Sequence, residues 1–129
     1  AGRSPLLVMA RGPGDAAVGR TQAAVAAVHL DPAIVNARIG SGLGSAAASL
    51  LRTGGVRRLV VSGGDSSGFA VGSLGIFALE AIAPLAPGAP LCRAFAAAPA
   101  SDGLEITLKG GQMGRPDYFG SVRAGRAAS

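Results

Sequence analysis

A short glycine-rich loop that directly follows an apolar run constrains the fold of this chain most strongly. Residues 59–61 predict a buried strand, and the sequence SGGDSSG at 62–68 leads from it into a predicted helix. Backbone N–H groups converge where a strand passes through glycines into a helix start, and a helix N-terminus carries partial positive charge. Glycine leaves room for an anion there, because a Cβ atom would block its close approach. The loop therefore predicts a phosphate site on a fold that combines strands and helices.

A second glycine cluster follows another predicted strand. Residues 104–108 alternate in polarity, and the sequence KGGQMG occupies 109–114. Lys109 is the only lysine among the twelve basic residues, which favours a specific use for its compact ammonium group, such as phosphate binding. Ligands of open α/β sheets lie at the carboxyl ends of strands. Two glycine clusters at such ends therefore predict a nucleotide site with two walls.

Each glycine motif also has a simpler interpretation. The loop at 62–68 matches neither a P-loop nor the dinucleotide fingerprint, so an ordinary tight turn with Asp65 and Ser66 as helix caps stays open. The cluster at 109–114 has the same alternative. The sequence GSGLG at 40–44 resembles a cofactor loop, but it does not follow a strand and its glycine spacing is wrong. We interpret it as a site of close helix packing.

Composition points to one small domain without a membrane or nucleic-acid partner. A chain of 129 residues supports a modest core, and its apolar runs are too short for a transmembrane helix. The first residues lack a signal peptide, and the single cysteine, Cys92, excludes an internal disulfide, so we expect a cytoplasmic location. The net charge of +5 is spread along the chain and aromatic residues are few, which argues against nucleic-acid binding.

No catalytic residue is predicted. His29, the only histidine, has no recognisable Ser or Cys partner and lies at the end of a predicted helix, where the helix dipole alone favours it. No group of His, Cys and carboxylate residues has the spacing of a metal site. Asp65 could contact a nucleotide hydroxyl or Mg²⁺, but one carboxylate does not decide this.

Apolar periodicity and turn residues predict an α/β fold. Asp15 and Asp31 are suited to cap helices, and Pro32 suits a first helical turn. We expect a layered, Rossmann-like arrangement with a mixed or mostly parallel sheet flanked by helices. The predicted strands are 6–10, 58–62, 76–82, 91–95 and 104–108, the predicted helices are 16–30, 32–52, 66–74 and 116–123, and a rigid loop is predicted around Pro84, Pro87, Gly88 and Pro90.

Four short motifs in a fixed order carry a resemblance to a known family. They are RGPGD at 11–15, VSGGDSSG at 61–68, APGAPLCR at 86–93, and LKGGQMG at 108–114 with DYF at 117–119. Together they resemble the C-terminal nucleotide-binding domain of the four-carbon acid sugar kinase family. Each motif is short, but their order and spacing cover nearly the whole chain.

The resemblance implies the nucleotide-binding part of an ATP-dependent kinase that acts on sugar acids such as threonate, erythronate or their 3-oxo forms. In this family an N-terminal domain binds the sugar acid, and the C-terminal domain holds ATP. We expect Mg²⁺ to accompany the phosphates. Carried over, the ATP contacts would be Gly63, Gly64, Asp65 and Ser66, with Gly111 on the other side and Lys109, Gly110 and Gly114 as further candidates.

This sequence departs from the family pattern at its start. The N-terminal domain is absent, and so is a small Ser-containing segment of the nucleotide domain, of which Ser4-Pro5 would be a remnant. We expect residues 1–129 to form a single domain that is a fragment, inactive as a kinase alone, with exposed apolar surface that favours homo-oligomers. The alternative is a non-catalytic interaction or regulatory domain that has lost nucleotide binding. The missing G-x-G-x-x-G argues against a dinucleotide-binding oxidoreductase.

Overall fold

The computed structural model describes residues 4–111 and 114–125, apart from the side chain of Ser66. Within them the chain forms four helices and one four-stranded sheet. The elements in chain order are α1 (Ala16–Ala27), α2 (Pro32–Arg52), β1 (Arg58–Ser62), α3 (Asp65–Ser73), β2 (Ile76–Ala86), β3 (Ala89–Ala96), β4 (Glu105–Lys109) and α4 (Tyr118–Ala124). The predicted α/β class is confirmed.

The sheet is mixed, with strand order β1-β4-β3-β2. The edge strand β1 is parallel to its neighbour β4, whereas β3 is antiparallel to both β4 and β2. Of the two predicted sheet types, the mixed one is therefore present, because only one pair runs parallel. The register pairs Ser62 with Lys109, so β1 and β4 end side by side.

Helices cover both faces of the sheet. On one face Leu51 of α2 packs with Leu74, at the end of α3, and with Ile106 of β4. On the other face Tyr118 and Val122 of α4 pack against the β2–β3 hairpin. The two cores lie on opposite sides of the same strands because side chains alternate along a strand. This is the layered arrangement predicted from the sequence.

Close packing of α2 on α3 explains the glycines at 40–44. Gly40 and Gly44 are buried in α2. A Cβ atom at Gly44 would lie 2.6 Å from the Cβ of Ser73 and 2.7 Å from the carbonyl oxygen of Ala70, both in α3. No side chain fits at that distance, so the interpretation as helix packing is confirmed.

The predicted strand at 6–10 is wrong. Residues 6–9 are exposed and pair with no strand. An apolar run favours a strand locally, but a strand forms only where another strand supplies hydrogen-bond partners. No strand pairing of this segment occurs within the described residues.

The predicted rigid loop between residues 82 and 91 is also wrong. A hairpin forms instead, in which β2 continues to Ala86 and β3 begins at Ala89. Pro87 and Gly88 make the turn, and Gly88 has the φ of +71° that a turn after proline requires. Pro84 lies in β2, an edge strand, and has no partner in the β2–β3 register, so its missing N–H removes no ladder hydrogen bond.

The remaining boundaries differ from prediction by a few residues. Helix α1 ends at Ala27 rather than at residue 30, and α4 begins at Tyr118 rather than at Pro116. Strand β1 has the predicted bounds. Within residues 4–111 and 114–125, none of the helices is both long and apolar enough to cross a membrane.

Candidate functional site

The two glycine clusters meet at one edge of the sheet. The first follows β1 and the second follows β4, and these strands are parallel neighbours. The N–H of Gly63 donates to the carbonyl oxygen of Lys109 across 2.9 Å. This bond joins the residue directly after β1 to the last residue of β4. The predicted two walls therefore lie side by side at the carboxyl ends of parallel strands, the usual place for a ligand in an open α/β sheet.

Ser67 fixes the first loop, a role that the sequence analysis missed. Its hydroxyl donates to the carbonyl oxygen of Gly63 across 2.6 Å, and its N–H donates to the carbonyl oxygen of Gly64 across 3.0 Å. The residue is buried. The sequence does contain a local signal for this bond. Ser67 follows Gly63 by four residues within a predicted helix, and a helical Ser commonly donates to the carbonyl oxygen one turn back.

The start of α3 has unused hydrogen-bond donors. Gly64 occupies the N-cap position and has no side chain to accept from the first turn. The N–H groups of Gly64, Asp65 and Ser66 donate to no acceptor among the described residues. Helix N-terminal N–H groups need an acceptor, and an anion is a favourable one because of the helix dipole. The alternative in which Asp65 caps α3 is not what the structure shows. The side chain of Ser66 lies outside the described part.

The carboxylate of Asp65 lies exposed in the first turn of α3. It forms no hydrogen bond or ion pair with any described residue. No group of three or more His, Cys, Asp or Glu residues suited to a metal ion occurs in the described parts of the chain. Any metal at this edge would therefore depend on Asp65 together with ligand oxygens and water.

The second loop is built around the buried side chain of Lys109, which is 8% exposed. Its Nζ donates to the carbonyl oxygens of Gly110 and Gly111 across 2.9 and 3.1 Å. The ammonium also lies 5.7 Å from the centre of the Tyr118 ring, within the range of a cation–π contact. The hydroxyl of Tyr118 is in turn 2.8 Å from that of Thr107. The lysine is therefore turned towards the carbonyls of its own loop.

Gly114 completes the enclosure of Lys109. Its φ is +94°, a conformation that favours glycine, and a Cβ atom there would lie 2.9 Å from Cε of Lys109 and 3.3 Å from the ring of Tyr118. A larger residue would displace the lysine. Gln112 and Met113, between the two ends of this loop, lie outside the described residues.

Space is open beside Gly64 and Gly111 as far as the described part of the chain extends. A Cβ atom built on Gly64 or Gly111 would meet no heavy atom within 4 Å. Unlike Gly44, these glycines are not required by packing within the described protein. They leave room at the sheet edge where the unused N–H groups lie.

The other residues considered from the sequence do not contribute to this edge. His29 follows α1 and is exposed, with a φ of +54°. Cys92 lies on β3 against the core formed with α2 and α3, and burial raises the pKa of its thiol. Neither residue contacts the glycine loops within the described part of the chain, so neither is assigned to the site.

The chain matches a known family over most of its length. The family described as the nucleotide-binding C-terminal domain matches residues 1–119. Among curated proteins, the chain is 45% identical over 127 residues to 3-oxo-isoapionate kinase of Paraburkholderia graminis, covering 98% of this chain and 27% of that protein. It is 44% identical over 77 residues to 3-oxo-tetronate kinase of Cupriavidus necator, covering 60% of this chain and 17% of that protein.

A solved structure supports the same grouping. A domain of unknown function from Bordetella bronchiseptica, a domain-swapped dimer with bound citrate, matches 78% of this chain and 24% of that chain, with a TM-score of 0.57 and 25% identity. The chain thus spans about a quarter of the length of the first of these kinases and of this structure. The match over residues 1–119 shows that the chain belongs to the family of nucleotide-binding C-terminal domains.

Proposed function

We propose that this chain binds ATP between its two glycine loops and is the nucleotide-binding part of a kinase that phosphorylates four-carbon sugar acids. The observation that carries the proposal is the row of N–H groups at Gly64, Asp65 and Ser66 that have no acceptor among the described residues. They lie at a helix N-terminus, beside open space and at the end of two parallel strands. This combination suits the phosphates of a nucleotide.

Each loop supplies one wall of the proposed site. Gly63, Gly64, Asp65 and Ser66 form the wall at the start of α3, where backbone N–H groups and the helix dipole favour the phosphates. The other wall is formed by Lys109, Gly110, Gly111 and Gly114. The carboxylate of Asp65, which has no partner among the described residues, would hold Mg²⁺, and the cation would neutralise charge on the phosphates. This arrangement fits a cation that prefers one or two carboxylates, phosphate oxygens and water.

The sugar acid would be bound by another part of the protein. The curated relatives are kinases of 3-oxo acids, and the chain covers 27% of the first and 17% of the second. The proposal uses the carboxylate of Asp65 for Mg²⁺, so the general base that activates the sugar-acid hydroxyl would also lie in that other part. We therefore expect no sugar-acid kinase activity from residues 1–129 alone. Turnover by the purified chain, free of contaminating kinases, would contradict this expectation.

Self-association is part of the proposal. The matching structure from Bordetella bronchiseptica is a domain-swapped dimer. In this chain Phe77 of the edge strand β2 is 76% exposed, and Leu79 of the same strand is 38% exposed. An apolar surface along an edge strand favours association with a further chain. Sedimentation of the purified chain over a range of concentrations would measure it.

Calorimetric titration with Mg-ATP tests nucleotide binding. The parent chain is compared with Gly64→Val and Gly111→Val, which place a side chain into the open space of each wall. Gly72→Val in α3 and Gly120→Val in α4 are matched controls, since a Cβ atom at either position also meets nothing within 4 Å. We expect saturable binding that is lost in the first pair and retained in the second.

Two results would count against the proposal. Equal affinity in all five proteins would place the nucleotide elsewhere. Absence of binding by the parent, both alone and joined to a sugar-acid-binding domain from the kinase of Paraburkholderia graminis, would favour the alternative of an interaction domain that has lost ATP.

A further inference from the structure

The peptide between Gly110 and Gly111 is held in one orientation by Lys109. Its carbonyl oxygen, on Gly110, accepts from the buried Nζ across 2.9 Å. The peptide bond is trans, so its N–H, on Gly111, points in the opposite direction. Both glycines are exposed, whereas Lys109 is buried. The N–H of Gly111 is therefore directed away from the protein interior, and it has no acceptor among the described residues.

The lysine is itself fixed in place. Gly114 and Tyr118 enclose its aliphatic chain and ammonium group. Two of its three N–H donors are engaged with loop carbonyls, since Gly111 also accepts across 3.1 Å. A lysine that binds phosphate as a mobile point charge would instead extend into the open side of the loop. Its positive charge, placed behind the loop, still favours an anion in front of it.

We propose that Lys109 is a positioning residue of the nucleotide site, which turns the N–H of Gly111 towards the phosphates without contacting them itself. The inference rests on the proposed function for the identity of the ligand. It assigns the only lysine of the chain to the geometry of the loop. The phosphates are then met by backbone N–H groups on both walls, at Gly64 to Ser66 and at Gly111.

The first test uses the nucleotide-free protein. Amide NMR signals of the parent are compared with those of Lys109→Met, which retains packing against Tyr118 but has no donors. We expect the Gly111 amide signal to shift and broaden in this variant. Leu51→Val is the matched control, because it weakens the core on the opposite face of the sheet and should leave the Gly111 signal in place. An unchanged Gly111 signal in Lys109→Met would overturn the proposal.

The second test asks whether the ammonium touches phosphate. Because Lys109 is the only lysine, a lysine-selective ¹⁵N label gives one side-chain Nζ signal. In the Mg-ATP complex we expect its hydrogen-bond coupling to run to the carbonyl carbons of Gly110 and Gly111. Coupling of this Nζ to ³¹P would show direct contact and would overturn the assignment.

Affinity gives a third measurement. Lys109→Met should weaken Mg-ATP binding by roughly tenfold, the value of one misdirected hydrogen bond to a charged group, while Leu51→Val keeps the parent affinity. Equal affinity of Lys109→Met and the parent would contradict the proposal. Absence of Mg-ATP binding by the parent would overturn the proposed function. It would also overturn the assignment of nucleotide phosphates as the acceptors of the Gly111 N–H. The Gly111 amide comparison would still decide whether Lys109 orients the peptide.

Discussion

Helices α2 and α3 begin in opposite ways. At the start of α2, the carboxylate of Asp31 accepts from the N–H of Ala33 across 2.8 Å, and Pro32 has no N–H to satisfy. At the start of α3, Gly64 has no side chain, and the N–H groups of Asp65 and Ser66 find no acceptor among the described residues. The start of α2 is therefore capped by its own side chain, whereas the start of α3 has no side-chain cap.

The difference shows how stability and binding compete for the same donors. A capping side chain contributes about 1 kcal/mol by occupying N–H groups that a ligand anion would otherwise use. In α3 the polar side chain that fixes the loop is Ser67, and it bonds a carbonyl rather than an N–H. The loop is therefore ordered while its donors stay available for a ligand.

The position of α3 is secured by packing. Gly44 lets α2 approach α3 so closely that a Cβ atom there would lie 2.6 Å from Ser73. Leu74, at the end of α3, is buried in the core beside Leu51. An uncapped helix start is tolerated because tertiary packing stabilises the helix more than its termini do.

The largest expected effect comes from closing the open helix start. Gly64→Asp places a carboxylate among the N–H groups proposed to hold phosphate, so the Mg-ATP affinity should fall by about a hundredfold or more, since like charges at close range cost several kcal/mol. Calorimetric titration measures it. Gly72→Asp, at the other end of the same helix, is the charge-matched control and should retain the parent affinity. Comparable losses in both variants would remove the special role of the α3 start.

The next largest effect comes from separating α2 and α3. Gly44→Ala forces a Cβ atom against Ser73 and the backbone of Ala70, so the free energy of unfolding should fall by about 1–3 kcal/mol. Urea unfolding measures it. Gly42→Ala is the control in the same helix, since a Cβ atom there meets nothing within 4 Å, and it should be at least as stable as the parent. If Gly44→Ala unfolds at the parent urea concentration, close packing does not secure α3.

Opening the closed helix start should affect stability alone. Asp31→Ala removes the cap of α2, and we expect the free energy of unfolding to fall by about 1 kcal/mol. The affinity for Mg-ATP should stay at the parent value, because Asp31 lies at the start of α2 and not in either glycine loop. Urea unfolding and calorimetric titration of the same preparation check both parts. A marked loss of affinity would mean that the two helix starts do not differ in function as proposed.

The smallest expected effect concerns the start of α1, which is capped by Asp15. Hydrogen bonds from the backbone N–H groups of Ala17 and Arg11 lower the pKa of Asp15, which caps α1. A lowered pKa in the folded state means that the cap stabilises the fold above the ordinary Asp pKa of about 3.9, and that this contribution is lost as the pH falls through the folded value. The parent and Asp15→Ala should therefore differ less in their free energy of unfolding as the pH is lowered below about 4. A difference that is constant with pH would contradict this role of the carboxylate.

Local signals predicted the elements that depend on neighbouring residues in the sequence. Strand β1 has its predicted bounds, and α2 begins after the predicted cap and ends at the predicted residue. The failures lie where a distant partner decides. Residues 6–9 are apolar but exposed and unpaired, and the proline-containing segment after residue 82 joins β2 and β3 as a hairpin.

The sequence by itself determined the two glycine loops, the strands before them and the capped starts of α1 and α2, because turn residues, caps and periodicity act over a few residues. Only the tertiary structure decided that the loops adjoin, since this requires β1 and β4 to pair in parallel across a long stretch of chain. It also decided that Lys109 turns inwards. The burial of its ammonium depends on Tyr118 and Gly114, which the fold brings against the end of β4.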